Sequence, residues 1–202
     1  MEYRQVQSQD IPAVASIFLQ SFTPSVEHFL GKPLQNDRGI CDIFHFIHRA
    51  EPQSFFVAAS EDQLAGYLIA NRSMRRIWLK AITQGDIFLW LYRWLSGSYN
   101  IGTGPIKSII RHKLLFLSSK HNYRSSSQAQ ILSIAIHPDY KKNGIARELL
   151  NLGLTYLEGT EEIKLEVRPE NQAAYNLYTS LGFEPIDKTA DSQGDWIVMV
   201  KK

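Results

Sequence analysis

The chain has 202 residues, of which 44% are hydrophobic and 21% are charged, and its formal net charge is +2. These values are ordinary for a folded protein and exclude a disordered or fibrous chain. The length is long for a minimal domain and short for two, so we expect a single domain over 1–202. The one cysteine, Cys41, excludes an intramolecular disulfide and a cysteine-based zinc site.

The opening residues of the chain have neither the basic start nor the apolar stretch of a signal peptide. No run approaches the roughly 18 apolar residues that a membrane span needs. We therefore expect a cytoplasmic protein, and a reducing compartment also fits the single cysteine.

The residues before position 72 predict a strand, two helices and a hairpin. An extended segment at 3–6 precedes Pro12, which is typical of the first turn of a helix. Apolar residues at helical spacing predict a second helix around 40–47. Two short apolar runs at 55–59 and 64–70, separated by polar residues, predict antiparallel strands joined by a tight turn.

The segment 72–127 carries ten Lys or Arg residues against Asp86 alone, a net charge of +9, so by difference (+2 − 9) the rest of the chain carries −7. It also contains three of the four tryptophans and the apolar run 87–95. We interpret it as a basic, aromatic-rich insertion in the domain.

Three interpretations of this insertion stay open. It could be an ordinary core helix that packs Leu89, Trp90, Trp94 and Leu95 on the sheet. It could select a substrate, or form a docking surface for an anionic partner or a membrane face. Nucleic-acid binding is not expected, because the spacing matches no helix-turn-helix, zinc-finger or RNA-binding signature.

The residues after 130 predict a strand, a turn, a helix and a second strand. The run 131–136 is nearly continuously apolar, as in a strand covered on both faces, whereas 163–168 alternates apolar and polar residues. Apolar residues at helical spacing over 145–156 join the two strands. A further helix around 174–181 and a closing strand at 196–200 complete the order.

The turn at 137–147 has the character of an anion site. The N-terminus of a helix offers unpaired N–H groups and the positive end of the helix dipole. Small residues at Gly144 and Ala146 let a diphosphate approach the backbone, and Lys141, Lys142 and Arg147 add positive charge.

The stretch 134–183 resembles the cofactor-binding half of the GNAT superfamily of N-acetyltransferases. The diphosphate loop of that family runs Arg or Gln, two residues, Gly, one residue, then Gly or Ala, and Lys141, Gly144 and Ala146 are similar to it. The sequence departs from the pattern in having Lys at 141, which keeps the charge and loses the planar fork, and Lys142 where glycine is frequent. The next family motif, Asn-x-x-Ala-x-x-x-Tyr-x-x-x-Gly-Phe, is matched by Asn171, Ala174, Tyr178, Gly182 and Phe183.

The resemblance implies a mixed α/β fold with a mostly antiparallel central sheet, a splayed parallel pair of strands and helices on both faces. It implies acetyl-CoA as the acetyl donor and direct transfer to an amine within a ternary complex. The cofactor-binding positions that it implies are Ile134, Ala135, Ile136, Lys141, Lys142, Asn143, Gly144, Ile145, Ala146, Arg147, Asn171 and Tyr178. Backbone groups of the first three would run beside the pantetheine arm, an N–H near Ile136 would face the thioester oxygen, and Asn171 would hold the pantetheine or the start of its own helix.

Two side chains are the candidate catalytic residues. Tyr178 is the candidate acid, because a phenol with a pKa near 10 is protonated at neutral pH and can protonate the departing thiolate. The alternative is that Tyr178 only extends an apolar stripe. Glu166 is the candidate base, since it resembles the glutamate of the Leu-Glu-Val-Arg segment of ribosomal-protein alanine acetyltransferases. It could equally be a solvated carboxylate or a partner of Arg168. In that case a water relay could replace it as the base.

Other reactive residue types do not indicate a site. His137 is expected to satisfy backbone groups of its turn rather than to act as a base, and His45 with His48 supplies only two of the ligands that a zinc site needs. We expect no metal, and we expect Cys41 to be a small packed thiol.

The acceptor is not readable from the sequence, because the family acetylates protein N-termini, lysines, polyamines, antibiotics and amino sugars with much the same cofactor half. A small molecule and a peptide remain open, as do a monomer and a homodimer. The alternative to an enzyme is a non-catalytic acetyl-CoA sensor that regulates a partner.

Overall fold

The computed structural model describes residues 1–61, 63–100, 129–191 and 193–202. Within them lie six α-helices: α1 (Ile11–Leu30), α2 (Arg38–Ala50), α3 (Met74–Thr83), α4 (Asp86–Leu95), α5 (Ile145–Tyr156) and α6 (Gln172–Ser180). The strands of the same residues are β1 (Glu2–Gln5), β2 (Phe55–Ala59), β3 (Leu64–Asn71), β4 (Ala129–Ile136), β5 (Ile163–Val167), β6 (Glu184–Asp191) and β7 (Gly194–Lys201).

These strands form one sheet in the order β1-β2-β3-β4-β5-β7-β6. The pairings are antiparallel except that of β4 with β5, which is parallel. A parallel pair needs a crossover connection, and α5 supplies it between β4 and β5. The mixed fold, the mostly antiparallel sheet and the single parallel pair confirm the predicted fold class.

Each face of the sheet has its own apolar core. One core joins α1 and α2 to β2 and β3, with Ile11, Val14, Phe44, Phe55 and Tyr67 among its buried residues. The other lies under α5 and α6, where Leu149, Leu150, Leu165, Met199 and Phe183 are buried. Burial of this kind contributes about 1.5–3 kcal/mol for each large side chain. The helices therefore cover both faces, as predicted.

The parallel strands β4 and β5 separate after their first residues. They pair only at Ala129 with Ile163 and at Gln130 with Lys164, although both strands continue further. Beyond that point β4 keeps its pairing with β3 alone, through a bulge near Leu132. The predicted splayed pair is therefore confirmed, and it leaves a gap between two central strands.

The prediction that the 131–136 strand is covered on both faces was wrong in part. Leu132 is exposed, and Ser133, Ile134 and Ile136 are only half-buried. The composition is that of a buried strand, but the separation of β4 from β5 opens one edge of it. Residues that border such a gap keep apolar side chains without full burial.

The helices α3 and α4 lie between β3 and β4 in the chain, within the predicted insertion; residues 101–127 of that segment lie outside the described residues. The interpretation of 87–95 as a core helix packed on the sheet was wrong for Leu89 and Leu95, which are exposed. Trp90 instead packs its ring on Phe46 of α2, with the ring centroids 5.2 Å apart. The α4 helix thus rests on another helix through part of its surface.

The strand β6 was not predicted from the sequence. Its residues are largely exposed, so its two faces show no apolar alternation. The strand forms because β7 supplies an antiparallel partner over Glu184–Asp191, which makes β6 the edge of the sheet. A polar edge strand of this kind gives no hydrophobic signal in the sequence.

Candidate active site

The turn that follows β4 brings the chain back to the sheet and into α5. The ring of His137 accepts a hydrogen bond at Nδ1 from the backbone N–H of Asp139 (3.3 Å). The backbone N–H of His137 donates to the carbonyl of Ala65 (2.9 Å). The ring therefore caps the short Pro138–Tyr140 helical turn. The expectation that His137 satisfies backbone groups of its turn is confirmed.

Two left-handed residues shape the loop before α5. Lys142 has φ 66° and Gly144, the residue that caps α5, has φ 77°. Glycine adopts this conformation without strain, whereas a lysine does so at a cost. The conformation at 142 explains why glycine suits that position, and the lysine there is exposed.

The N-terminus of α5 presents free backbone donors. The N–H groups of Arg147 and Glu148 turn back to the carbonyl of Gly144, and no side chain caps the helix. The first N–H groups of a helix have no partner inside it, so those of Ile145 and Ala146 open the helix as donors. A Cβ added at Gly144 would meet no atom within 4 Å. Open space, free donors and the helix dipole together suit an anion.

The side chains around this loop lie as an anion site requires, with one exception. Lys141, Lys142 and Asn143 are exposed. Arg147 is exposed too, but it donates a hydrogen bond to Oγ of Ser180 on α6 (2.8 Å). The Ile145 side chain is buried in the core, so only its backbone faces outward.

The edge of β4 that borders the gap carries backbone groups of alternate residues. In an antiparallel pair, the backbone N–H and C=O groups of every second residue point to the same neighbouring strand. The backbone N–H of His137 bonds to β3, so the backbone groups of Ala135 also point to β3, and those of Ile134 and Ile136 point to the opposite edge. Ile134 and Ile136 thus face the gap, as the resemblance implies. Ala135 differs, since its backbone pairs opposite Tyr67 and its side chain is buried.

Tyr178 lies on α6 in the core beneath α5 and α6, packed against Phe183 with ring centroids 6.1 Å apart. Burial raises the pKa of Tyr178 to about 12. The phenol therefore keeps its proton through neutral pH, which an acid requires. Its burial also means that it contributes to the apolar stripe of α6, and its role as an acid stays a prediction.

Glu166 lies on the other face of the sheet from Tyr178. It sits on β5 between the buried Leu165 and Val167, and its carboxylate pairs with Lys164 at 2.7 Å. The Lys164 side chain is only 9% exposed and that of Glu166 is 42% exposed. Arg168, considered as a partner of Glu166, pairs instead with Asp191 at 3.2 Å. The carboxylate is thus neither fully solvated nor held by the arginine.

A cavity of about 190 Å³ lies at the point where β4 and β5 separate. It is lined by Gln130, Ile131, Leu132, Lys164, Leu165, Glu166 and Trp196. At its border the guanidinium of Arg168 stacks over the Trp196 ring, 3.8 Å from the centroid, and the indole N–H donates to Asp191 (2.8 Å). Glu166 therefore lines a cavity together with polar side chains, those of Gln130 and Lys164, and with one aromatic ring, that of Trp196.

Sequence reasoning missed three residues of this region. Lys164 shares a face with Glu166, so strand alternation could have indicated the pair. Trp196 and Asp191 come from β7 and from the end of β6, and no local pattern connects them to β5. Trp196 reaches the cavity, with Asp191 hydrogen-bonded to its indole, only because β7 pairs with β5.

The remaining candidates have structural roles. The Asn171 side chain caps α6 by accepting the N–H of Ala174 (3.1 Å), one of the two roles expected for it. Cys41 is half-buried beside the core under α1 and α2, and burial with nearby Asp37 and Asp42 raises the pKa of its thiol. Among the described residues no group of three or more His, Cys, Asp or Glu side chains could hold a metal ion.

The sequence is similar to that of known acetyltransferases. The family model described as the acetyltransferase (GNAT) family matches residues 12–183. The ribosomal protein bS18 alanine N-acetyltransferase of Escherichia coli is 39% identical over 80 residues, which are 36% of this chain and 54% of that enzyme. The chain therefore spans about half the length of the curated relatives it matches. An N-alpha-acetyltransferase of Sulfurisphaera tokodaii is 36% identical over 62 residues, 29% of this chain and 37% of that protein.

Solved structures share the fold over nearly the whole chain. An N-acetyltransferase from Staphylococcus aureus superposes with a TM-score of 0.67 at 20% identity, covering 99% of this chain and 100% of that one. The ribosomal-protein-S18-alanine N-acetyltransferase of Escherichia coli gives 0.53 at 18% identity, covering 99% and 92%. At these identities the likeness concerns the fold.

Proposed function

The chain belongs to the GNAT acetyltransferase family, and on that premise we propose that it transfers an acetyl group from acetyl-CoA to a primary amine. The observation that carries the proposal is the gap between β4 and β5, which has an uncapped helix N-terminus at one side and a cavity that Glu166 helps to line. A gap in a central sheet lets a cofactor and an acceptor meet from opposite faces.

The diphosphate of acetyl-CoA would bind at the start of α5. The N–H groups of Ile145 and Ala146 would donate to it, and Lys141, Lys142 and Arg147 would add positive charge. Asn143 lies in the same exposed loop and would border the diphosphate. The left-handed Gly144 supports this placement because it leaves room beside the backbone.

The pantetheine arm would lie along β4. The unpaired backbone groups of Ile134 and Ile136 would bond to its amides as a neighbouring strand does, and the N–H near Ile136 would donate to the thioester oxygen. A donor placed there stabilises the negative charge that develops as the amine attacks. Ala135 would contribute through packing, because its own backbone faces β3.

The two proton transfers would involve residues on opposite faces of the sheet. Glu166 would accept a proton from the acceptor nitrogen, directly or through a water molecule, as the nitrogen bonds to the acetyl carbon. The carbon–sulfur bond then breaks, and Tyr178 would protonate the departing thiolate of CoA. The products are an N-acetyl amine and CoA, with no covalent intermediate on the protein.

The acceptor that we propose is the α-amine at the N-terminus of a peptide or protein. The support is the activity by which two similar proteins are named, an alanine N-acetyltransferase of a ribosomal protein and an N-alpha-acetyltransferase. The cavity beside Glu166 has room for a short chain end, and Trp196 offers it an apolar wall.

The test measures CoA release with acetyl-CoA and three acceptors: a peptide with a free N-terminal alanine, the same peptide with its N-terminus already acetylated, and a polyamine. We expect release with the first peptide alone, and mass spectrometry of fragments should place the acetyl group on its N-terminus. Turnover of the polyamine alone would contradict the proposed acceptor. Calorimetric binding of CoA without turnover of any amine would indicate a sensor, and absence of CoA binding would refute the function.

A further inference from the structure

The outer faces of α3 and α4 expose an unusual number of large apolar side chains. Of the thirteen such side chains exposed in the described residues, eight lie on these two helices: Trp78, Leu79, Ile82, Phe88, Leu89, Leu91, Tyr92 and Leu95. The exposed fractions of Phe88, Tyr92 and Leu95 are 67%, 69% and 72%. We call these eight residues the apolar patch. Concentration in one place distinguishes them from the scattered exposed residues of ordinary surfaces.

Helical spacing places four residues of the patch on one side of α4. Phe88, Leu91, Tyr92 and Leu95 stand at positions i, i+3, i+4 and i+7, so they form one stripe. The inner faces of the two helices are occupied separately, by the buried Ile77 of α3 and by Trp90 of α4, which packs on Phe46. Each helix is therefore apolar on two sides, a pattern that in a globular protein indicates a covered helix.

The charges around the patch are basic. Asp86 is the one acid in 72–100, and it is buried and ion-paired with Arg49. Arg75 and Arg76 are exposed on α3, and within the described part of the chain neither has an ion pair. The helices α3 and α4 therefore offer an opposing surface apolar side chains and exposed arginines, with no exposed carboxylate of their own.

We propose that the apolar patch binds peripherally to an anionic membrane surface. Helices of ten residues are too short to cross a bilayer, and no helix in the described residues is long or apolar enough for a span. They can lie in the interface, with aliphatic and aromatic side chains among the lipids and arginines beside the headgroups. The basic charge matches the negative surface potential of such a membrane.

The charge also argues against a second copy as the occupant. A symmetric contact of two patches would bring the unpaired arginines of both copies together, and α3 and α4 carry no exposed carboxylate to neutralise them. Like charges at an interface disfavour the contact. An anionic lipid surface supplies the missing negative charge.

Membrane binding at the patch is separate from the proposed acetyl transfer. None of the residues that line the cavity belongs to α3 or α4. The bound protein would therefore keep the β4–β5 gap free of the lipid contacts made by these helices. The proposal would hold even if the acceptor were another amine.

The experiment is sedimentation of the whole chain with phosphatidylcholine vesicles, either pure or with added phosphatidylglycerol. We expect binding that needs the anionic lipid and weakens with added salt. The Phe88→Ser/Leu95→Ser variant should lower the bound-to-free ratio at least about tenfold, because two apolar side chains no longer insert. Arg75→Gln/Arg76→Gln should lower it by about 30-fold, because each lost cation weakens the attraction to the anionic surface by about 1 kcal/mol.

The matched control is Ile186→Ser/Lys188→Gln, which removes an exposed apolar residue and an exposed cation from β6. It should bind vesicles as the parent does, and equal melting curves would show that the variants fold. No sedimentation with anionic vesicles, equal sedimentation with neutral ones, or unchanged binding of the Phe88→Ser/Leu95→Ser variant would overturn the proposal. If light scattering shows that the parent is a dimer and that the Phe88→Ser/Leu95→Ser variant is a monomer, a second copy is the occupant and the proposal is overturned too.

Discussion

The helices α5 and α4 show how differently similar apolar residues are used in this molecule. The α5 helix connects β4 to β5 and packs on one face of the sheet, so its Leu149 and Leu150 are fully buried. Its opposite side faces solvent. The α4 helix rests on α2 through Trp90 and exposes Phe88 and Leu95. An apolar helical pattern thus indicates that a helix needs a partner, and the fold determines whether the partner is part of the chain.

The largest effect is expected from the core under α5. Leu149→Ala should lower the free energy of unfolding by about 2–5 kcal/mol, because Leu149 is fully buried and its removal leaves a cavity. Urea denaturation measures the change. A loss below about 1 kcal/mol would mean that α5 does not pack on the sheet as described, and the contrast with α4 would weaken.

Tyr178→Phe should lower kcat by about 100-fold, the lower end of what a positioned acid contributes. Calorimetry should show CoA affinity nearly unchanged, since the ring and its packing on Phe183 remain. Because burial raises the pKa of Tyr178 to about 12, its ionisation should cause no loss of activity in mildly alkaline solution. Tyr175→Phe, on the same helix, is the control and should leave kcat unchanged. Parental turnover in Tyr178→Phe would remove this residue from the mechanism.

Gly144→Ala tests the loop before α5. The added methyl group meets no atom within 4 Å, so its cost comes from the left-handed backbone, about 1–2 kcal/mol of unfolding free energy. If the diphosphate lies against this residue, CoA affinity should fall as well. The comparison variant Lys142→Gly relieves a left-handed lysine and should not destabilise the protein. Unaltered stability and CoA affinity in Gly144→Ala would contradict the assigned loop.

The smallest effect is expected in the apolar patch. Leu95→Ala should change the free energy of unfolding by less than about 0.5 kcal/mol, because Leu95 is 72% exposed. Denaturation alongside Leu149→Ala measures both leucines under the same conditions. A loss of several kcal/mol would mean that another part of the chain covers the patch, and the contrast between α5 and α4 would then fail.

Several features could be predicted from the sequence because they depend on neighbours in the chain. The hairpin, the turn before α5 and the alternation of β5 follow from local patterns, and the motifs at 141–146 and 171–183 indicate a family. The edge strand β6 could not be predicted, since its polar residues lack a periodic signal. The pairing of Glu166 with Lys164 could have been predicted, because strand alternation places both residues on one face. The pairing of Arg168 with Asp191 could not, because it depends on a strand distant in sequence.

The sequence by itself determined the strand, turn and helix of the half that we propose binds the cofactor, because spacing along these elements places the loop residues at one helix N-terminus. Only the tertiary structure decided where β4 leaves β5, which residues of β7 border Glu166, and which side of α4 faces solvent. The physical reason is that local periodicity fixes which face of an element is apolar. The pairing and packing of distant segments decide what that face meets.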